Sequence, residues 1–291
     1  MTAAMPPGYR LVTFDRVAST NTEAMRLAAA GDPGNVWLVA DEQTSGRGRS
    51  GRNWSDVPGN LTASLLLRLS CGPEIAQQLA LLTGVAVVDA VRRLACVGSP
   101  PPLSGRIGEE GVHDDTCSAP PPPHSSPVQG EGGVPTLRLK WPNDVLIGQA
   151  KFGGILLESA QGLGGPGLVA VIGIGLNIAG TPEGLDRAAT SLAASGIATN
   201  RDAVLGFVAS AMDAALAIWD EGEEFQTIRE AWADRAGPVG EPLIVNAGQG
   251  PVSGRFAGLD RDGALLLADG QGGTRRFTYG DVTLAGSAGA Q

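Results

Sequence analysis

Val36-Trp37-Leu38-Val39-Ala40-Asp41-Glu42-Gln43-Thr44-Ser45-Gly46-Arg47-Gly48-Arg49-Ser50-Gly51-Arg52-Asn53-Trp54 is the stretch on which the fold turns. Its first five residues are an apolar, buried-type strand. The strand feeds a loop that packs three arginines and three glycines into residues 46–52, with a tryptophan two positions later. Gly46-x-Gly48-x-x-Gly51 matches a dinucleotide-binding fingerprint letter for letter, but that fingerprint needs a helix to begin inside it. Arg52-Asn53-Trp54-Ser55-Asp56-Val57-Pro58-Gly59 has no apolar helical periodicity, so a Rossmann reading fails here. Two readings stay open at this point. One is a solvated Gly/Arg linker. The other is a positive loop built to close over an anion, because glycine permits close backbone approach and arginine offers a planar charged fork.

The rest of the chain supplies the context. Its 291 residues suffice for one large domain and a small one, and 43% hydrophobic against 18% charged residues sustains a packed core. A net charge of −9 argues against a general nucleic-acid or anionic-membrane surface, so anion binding must be local. Cys71, Cys96 and Cys117 share no metal-ligand spacing, and His113 and His124 are the only histidines; a structural zinc site is not expected. The odd cysteine count fits a reducing compartment. Met1–Gly8 has neither a basic nor an apolar segment of a signal peptide, and the apolar run Leu79–Val91 is too short to span a bilayer. The expectation is a soluble cytoplasmic protein.

Strands are predicted at Arg10–Asp15, Val36–Ala40, Asn60–Leu69, on both sides of a turn at Pro142-Asn143, at Ile155–Glu158 and at Val169–Ile178. Helices are predicted after Ser19-Thr20-Asn21, over Glu74–Ala95 and over Arg201–Ala236 with a break near Gly222. Ser19-Thr20-Asn21 reads either as a helix cap or as a polar cluster for the head of a ligand at a helix N-terminus. Lys140 reads either as a solvated lysine or as one held rigidly by Trp141 and the Pro-Asn-Asp turn, where it could stabilise developing negative charge. The segment 98–135 is rich in proline, glycine and serine and is expected to be a disordered insertion. After Gly237-Pro238, five short strands separated by Asn/Asp/Gly turns predict a small β-barrel.

Five ordered motifs then carry a resemblance. Ser19-Thr20-Asn21, the Gly46–Trp54 loop, Lys140-Trp141-Pro142-Asn143-Asp144, Lys151-x-Gly153-Gly154-Ile155-Leu156-x-Glu158 and Gly173-Ile174-Gly175-x-Asn177 make the chain similar to biotin protein ligases from about residue 10 to 285. The resemblance implies an α/β catalytic domain like that of class II aminoacyl-tRNA synthetases over residues 1–237, interrupted by the 98–135 insertion. An SH3-like barrel over 238–291 would follow. It implies ATP and Mg²⁺ as co-substrate and its ion, biotin as substrate, and a biotin carboxyl carrier domain as the partner that supplies an acceptor lysine. By the same resemblance Lys140, Arg47 and Arg49 are catalytic. Ser19, Thr20, Asn21, Gln43, Gly46, Arg47, Lys140, Gly153 and Gly154 meet biotin, and Arg49, Arg52, Trp54, Asn143, Asn177, Gly173 and Gly175 meet the nucleotide or adenylate. Lys151 and Glu158 are further candidates, and no protein-bound metal is expected. The stretch before the first strand is too short for the DNA-binding module of bifunctional relatives, so operator binding is not expected. A homodimer is left open. The alternatives are a lipoate–protein ligase and a non-catalytic nucleotide-binding module.

Overall fold

Two sheets organise the computed structural model, which describes residues 5–98, 136–185, 187–248 and 250–284. The predicted insertion lies outside the described residues apart from Gly98, as do Cys117, His113 and His124. The large sheet contains β1 (Arg10–Val17), β2 (Val36–Gln43), β3 (Leu61–Leu69), β4 (Leu137–Lys140), β5 (Asp144–Ile147), β6 (Ala150–Gln161) and β7 (Leu168–Leu176). Their order is β1-β2-β3-β7-β6-β5-β4, with β1 and β2 parallel and every other pair antiparallel. A mixed sheet with this order is not the doubly wound sheet that the Gly-x-Gly-x-x-Gly string would need.

Alternation along the strands feeds two apolar layers. On one face α1 (Thr20–Ala29) buries Ala24 and Ala28 against Val36, Leu38, Leu66, Val169 and Val171. Arg68 secures the helix end by donating to the carbonyl of Ala28 at 2.9 Å, where the helix dipole favours a cation. On the other face lie α2 (Pro73–Ala76), α3 (Leu79–Gly98), α4 (Arg201–Trp219) and α5 (Phe225–Arg235), packed on Leu65, Leu67, Ile172 and Ile174. The helix expected over Glu74–Ala95 is thus two: Gly72-Pro73 starts one turn, and α3 begins anew after Gln78, whose Oε1 accepts from Trp219 Nε1 at 2.7 Å. α4, extended to Gly222, has mean hydropathy 1.5 and enough length to cross a membrane. Val204, Leu205, Val208, Met212 and Trp219 on it are nevertheless buried in the core.

The second sheet is antiparallel, built from β8 (Pro242–Asn246), β9 (Pro251–Leu259), β10 (Leu265–Ala268), β11 (Thr274–Phe277) and β12 (Asp281–Leu284) in the order β11-β10-β9-β8-β12. It matches the small barrel expected from the turn spacing. Its inner residues Leu243, Val245, Phe256, Leu265 and Leu267 are continuous with the main core. Trp232 of α5 meets Phe256 edge-on at 6.4 Å. Trp141 Nε1 donates to Gly263 O at 3.1 Å.

Candidate active site

One row of paired residues crosses the large sheet: Lys140 opposes Asp144, Asp144 opposes Gly154, Gly154 opposes Gly175, and Gly175 opposes Thr62. Directly opposed residues on antiparallel neighbours project to the same face. Register alone therefore sets a lysine, a carboxylate, two glycines and a threonine in line. The next row brings Leu156, Gly173 and Ser64 together, and here the N-terminus of α1 abuts the sheet. The two rows floor a cavity of about 600 Å³, walled by the Arg47–Trp54 loop, the start of α1 and the edge of β12.

At the α1 end polar side chains are linked in a chain of hydrogen bonds. Gln43 Oε1 accepts from the Thr20 backbone N–H at 2.8 Å. The buried Ser64 hydroxyl lies 2.7 Å from Thr20 Oγ1 and 2.6 Å from Asn21 Oδ1. Asn21 Nδ2 donates to Glu158 Oε2 at 2.7 Å, and Arg47 Nη2 reaches the same oxygen at 2.9 Å. The capping alternative for Ser19 fails: it occupies the N-cap position but makes no side-chain cap bond, and Gln43 of β2 takes that role at Thr20. The polar cluster thus points into the cavity.

At the other end, Asp144 sits between Lys140 Nζ, 2.9 Å away, and Lys151, with which it forms a close ion pair. Burial alone would raise the Asp144 carboxyl, but Lys151 and Lys140 outweigh it and hold the group below the ordinary carboxylate range. Burial pushes the Lys151 ammonium down from its usual value, against the pull of Asp144. Asn143 donates to Ile155 O at 2.6 Å and accepts from Arg49 Nη1 at 3.2 Å.

The loop is strapped down in this structure. Trp54 N–H donates to Gly46 O at 2.9 Å, Gly48 N–H to Arg52 O at 2.7 Å, and Ser50 turns at φ 55°. Arg47 pairs with Glu158 and Arg52 with Asp281. Arg49 reaches only neutral acceptors, the Asn143 side chain and Gly280 O. Burial lowers its pKa, yet a guanidinium stays charged. Among the described residues it is the loop arginine left without a carboxylate partner.

Most of the expected site residues converge on the cavity: Ser19, Thr20, Asn21, Gln43, Arg47, Arg49, Arg52, Trp54, Lys140, Asn143, Gly154, Gly173 and Gly175 all line it. Three do not. Asn177 is buried, donating to Thr190 O at 3.1 Å and accepting from Asn60, so its amide ties β7 to the following loop. Gly46 and Gly153 owe their lack of a side chain to neighbouring chain. A Cβ on Gly46 would fall 2.4 Å from Trp54 O, and one on Gly153 would fall 2.4 Å from Leu176 Cδ2. Two of the lining glycines, Gly173 and Gly175, are crowded by neighbouring side chains. A Cβ on Gly173 would meet Asn21 Oδ1 at 2.5 Å, and one on Gly175 would meet the Trp54 ring at 2.4 Å. They make room for two pocket side chains.

Ser64, Asp144 and Asp281 join the expected residues here. In sequence Ser64 is an ordinary alternating strand residue. Asp144 is flanked by lysines four residues before and seven after, and that spacing is the available signal. Asp281 comes from the terminal sheet and carries none.

Gly175→Ala is expected to push the Trp54 indole off its seat. Overpacking of this kind costs about 1–3 kcal/mol, which a urea titration would resolve, together with a shift in tryptophan emission; an unchanged unfolding midpoint and emission would show that the ring does not rest on Gly175.

Residues 13–177 match the Biotin/lipoate A/B protein ligase family, and residues 239–284 match the Biotin protein ligase C terminal domain. The chain belongs to the biotin/lipoate protein ligase family. Within it, the similarity is to biotin protein ligases. The chain is 35% identical over 262 residues to the biotin–[acetyl-CoA-carboxylase] ligase of Paracoccus denitrificans, covering 87% of this chain and 91% of that protein. It is 30% identical over 286 residues to the corresponding ligase of Mycobacterium tuberculosis, covering 94% and 89%. The biotin protein ligase of Aquifex aeolicus, solved in complex with biotin and ATP, superposes with a TM-score of 0.68 at 25% identity over 94% of this chain and 97% of that one.

Proposed function

We propose that this chain is an ATP-dependent biotin protein ligase. The observation that carries the reading is the cavity itself: a hydrogen-bonding end at α1 and a cationic end at Lys140, Lys151 and Arg49, joined by a glycine floor. Biotin's ureido ring needs both donors and acceptors, which Thr20, Asn21, Gln43 and Ser19 can offer. The family also contains lipoate ligases, but a dithiolane ring has no use for that polar chain.

Biotin laid along the floor brings its carboxylate to Lys140. A carboxylate oxygen attacks the α-phosphorus of ATP, the bond to the β-phosphate oxygen breaks, and pyrophosphate leaves with the electron pair. Anion approaches anion in this step, so Lys140 between carboxylate and α-phosphate, with Arg49 beside them, lowers the barrier electrostatically. In the second step the neutral amine of an acceptor lysine attacks the acyl carbon. The acyl C–O bond breaks, AMP leaves, and the amine proton passes to solvent. Closure of the 46–54 loop with Trp54 would keep water from the mixed anhydride.

Mg²⁺ is taken to enter as MgATP; among the described residues no group of three or more His, Cys, Asp or Glu is placed to hold a metal. The acceptor is a biotin carboxyl carrier domain, the compartment the cytoplasm, and the catalytic domain ends at Gly237. Biotin-dependent exchange of labelled pyrophosphate into ATP tests the first step. Exchange driven by lipoate and not by biotin would transfer the reading to the other branch of the family, and no exchange with either acid would abandon it.

Arg49→Ala should loosen biotinyl-adenylate about 10- to 100-fold, the worth of a charged hydrogen bond, and leave biotin alone nearly unaffected. Calorimetry with both ligands checks it. Parallel losses would place Arg49 at the biotin end.

A further inference from the structure

One short stretch of the terminal sheet engages three cavity cations. The Asp281 carboxylate pairs with Arg52, the carbonyl of Gly280 lies 3.5 Å from Arg49 Nη1, and the carbonyl of Val282 accepts from Lys140 Nζ at 2.9 Å. Two carboxylates line the cavity among the described residues, and they differ in kind. The Asp144 side chain is only 12% exposed and is committed to two lysines; the Asp281 side chain is 48% exposed, and its partner Arg52 is 47% exposed. An exposed ion pair is weak and exchangeable, whereas a guanidinium meets a polyphosphate through charge-assisted, bidentate bonds. A carboxylate at the cationic end of a nucleotide cavity therefore stands where an incoming anion has to compete.

We propose that Asp281 is a stand-in anion: without nucleotide it holds Arg52, and with it the 46–54 loop, over the cavity, and it gives Arg52 up to the polyphosphate of the entering nucleotide. The inference rests on the reading of the cavity as a nucleotide site. It makes Asp281 a positioning residue, acting through Arg52 and touching no reacting atom. It also assigns the terminal sheet a part in nucleotide entry.

The test uses the full chain and inorganic pyrophosphate as probe. In calorimetric titrations Asp281→Asn should bind pyrophosphate about three- to fivefold tighter than the unsubstituted protein, the range open to an exposed pair. Asp281→Glu should match the unsubstituted protein. Limited trypsin digestion without ligand should cut after Arg49 or Arg52 sooner in Asp281→Asn, and added pyrophosphate should remove the difference. Asp281→Ser, with the charge equally absent, should repeat both results if the asparagine variant folds poorly. Unchanged or weaker pyrophosphate binding in the charge-free variants overturns the proposal, as does unchanged loop cleavage or no binding by any variant. Tighter pyrophosphate binding in a protein that shows no biotin-dependent exchange would count against the ligase reading while supporting the stand-in.

Discussion

Replacing Lys140 with alanine is expected to lower the rate of biotinyl-adenylate formation by about 10²–10³-fold, the usual loss when one preorganised charge-stabilising donor is removed. The expectation rests on where the ammonium is held. β4 ends at Lys140, and the register places it opposite Asp144 on the cavity face. Asp144 and the carbonyl of Val282 fix Nζ from two sides. The fold should survive, because Asp144 keeps Lys151 as partner and the flanking Leu139 and Trp141 remain buried. Biotin affinity should change far less than turnover, since charge builds between carboxylate and α-phosphate only as the reaction proceeds. Single-turnover measurement of adenylate would decide it. Near-normal adenylation by the folded variant would remove Lys140 from the reaction.

The second large effect concerns Asp144, and it is one of stability as much as rate. Asp144→Ala strands Lys140 and Lys151, side chains only 20% and 14% exposed, without a counter-charge. Removing one member of a buried pair costs about 3–5 kcal/mol, which urea titration would resolve. The two lysines would also lose their common anchor, and misplacement by about 1 Å costs on the order of 100-fold in rate. The pH dependence has a definite sign. The folded pKa of Asp144 lies below its unfolded value. Its contribution is therefore fully present above the ordinary carboxylate range and lost as the pH falls through the lowered folded value. The stability gap between the two proteins should thus be constant near neutrality and shrink below about pH 4. A gap that stays constant into acid would mean that the carboxylate is not what holds the lysines.

Much of this was legible in the residues. The missing helix after Gly51 excluded a dinucleotide fold, and the mixed sheet agrees. Pro142-Asn143 marked the β4–β5 turn, and strand alternation with Asn/Asp/Gly turns gave the terminal sheet. What escaped was set by register and by distant partners. That Asn21 and Trp54 lie above Gly173 and Gly175 is visible only from strand pairing. Asn177 sits in a recognisable motif, yet its polar atoms are used by Asn60 and Thr190. Ser19 had the composition of a cap, but the helix start is satisfied by Gln43, 23 residues further along the chain. Asp281 acquires its place from tertiary contact between the two sheets, which no local pattern encodes.

The most direct test of the central claim is intact-mass analysis of a biotin carboxyl carrier domain incubated with this protein, biotin, ATP and Mg²⁺. A single biotinyl addition on one lysine is expected, formed about 10²–10³-fold more slowly with Lys140→Ala and absent when lipoate replaces biotin. An unmodified carrier, or a carrier modified by lipoate in place of biotin, would contradict it.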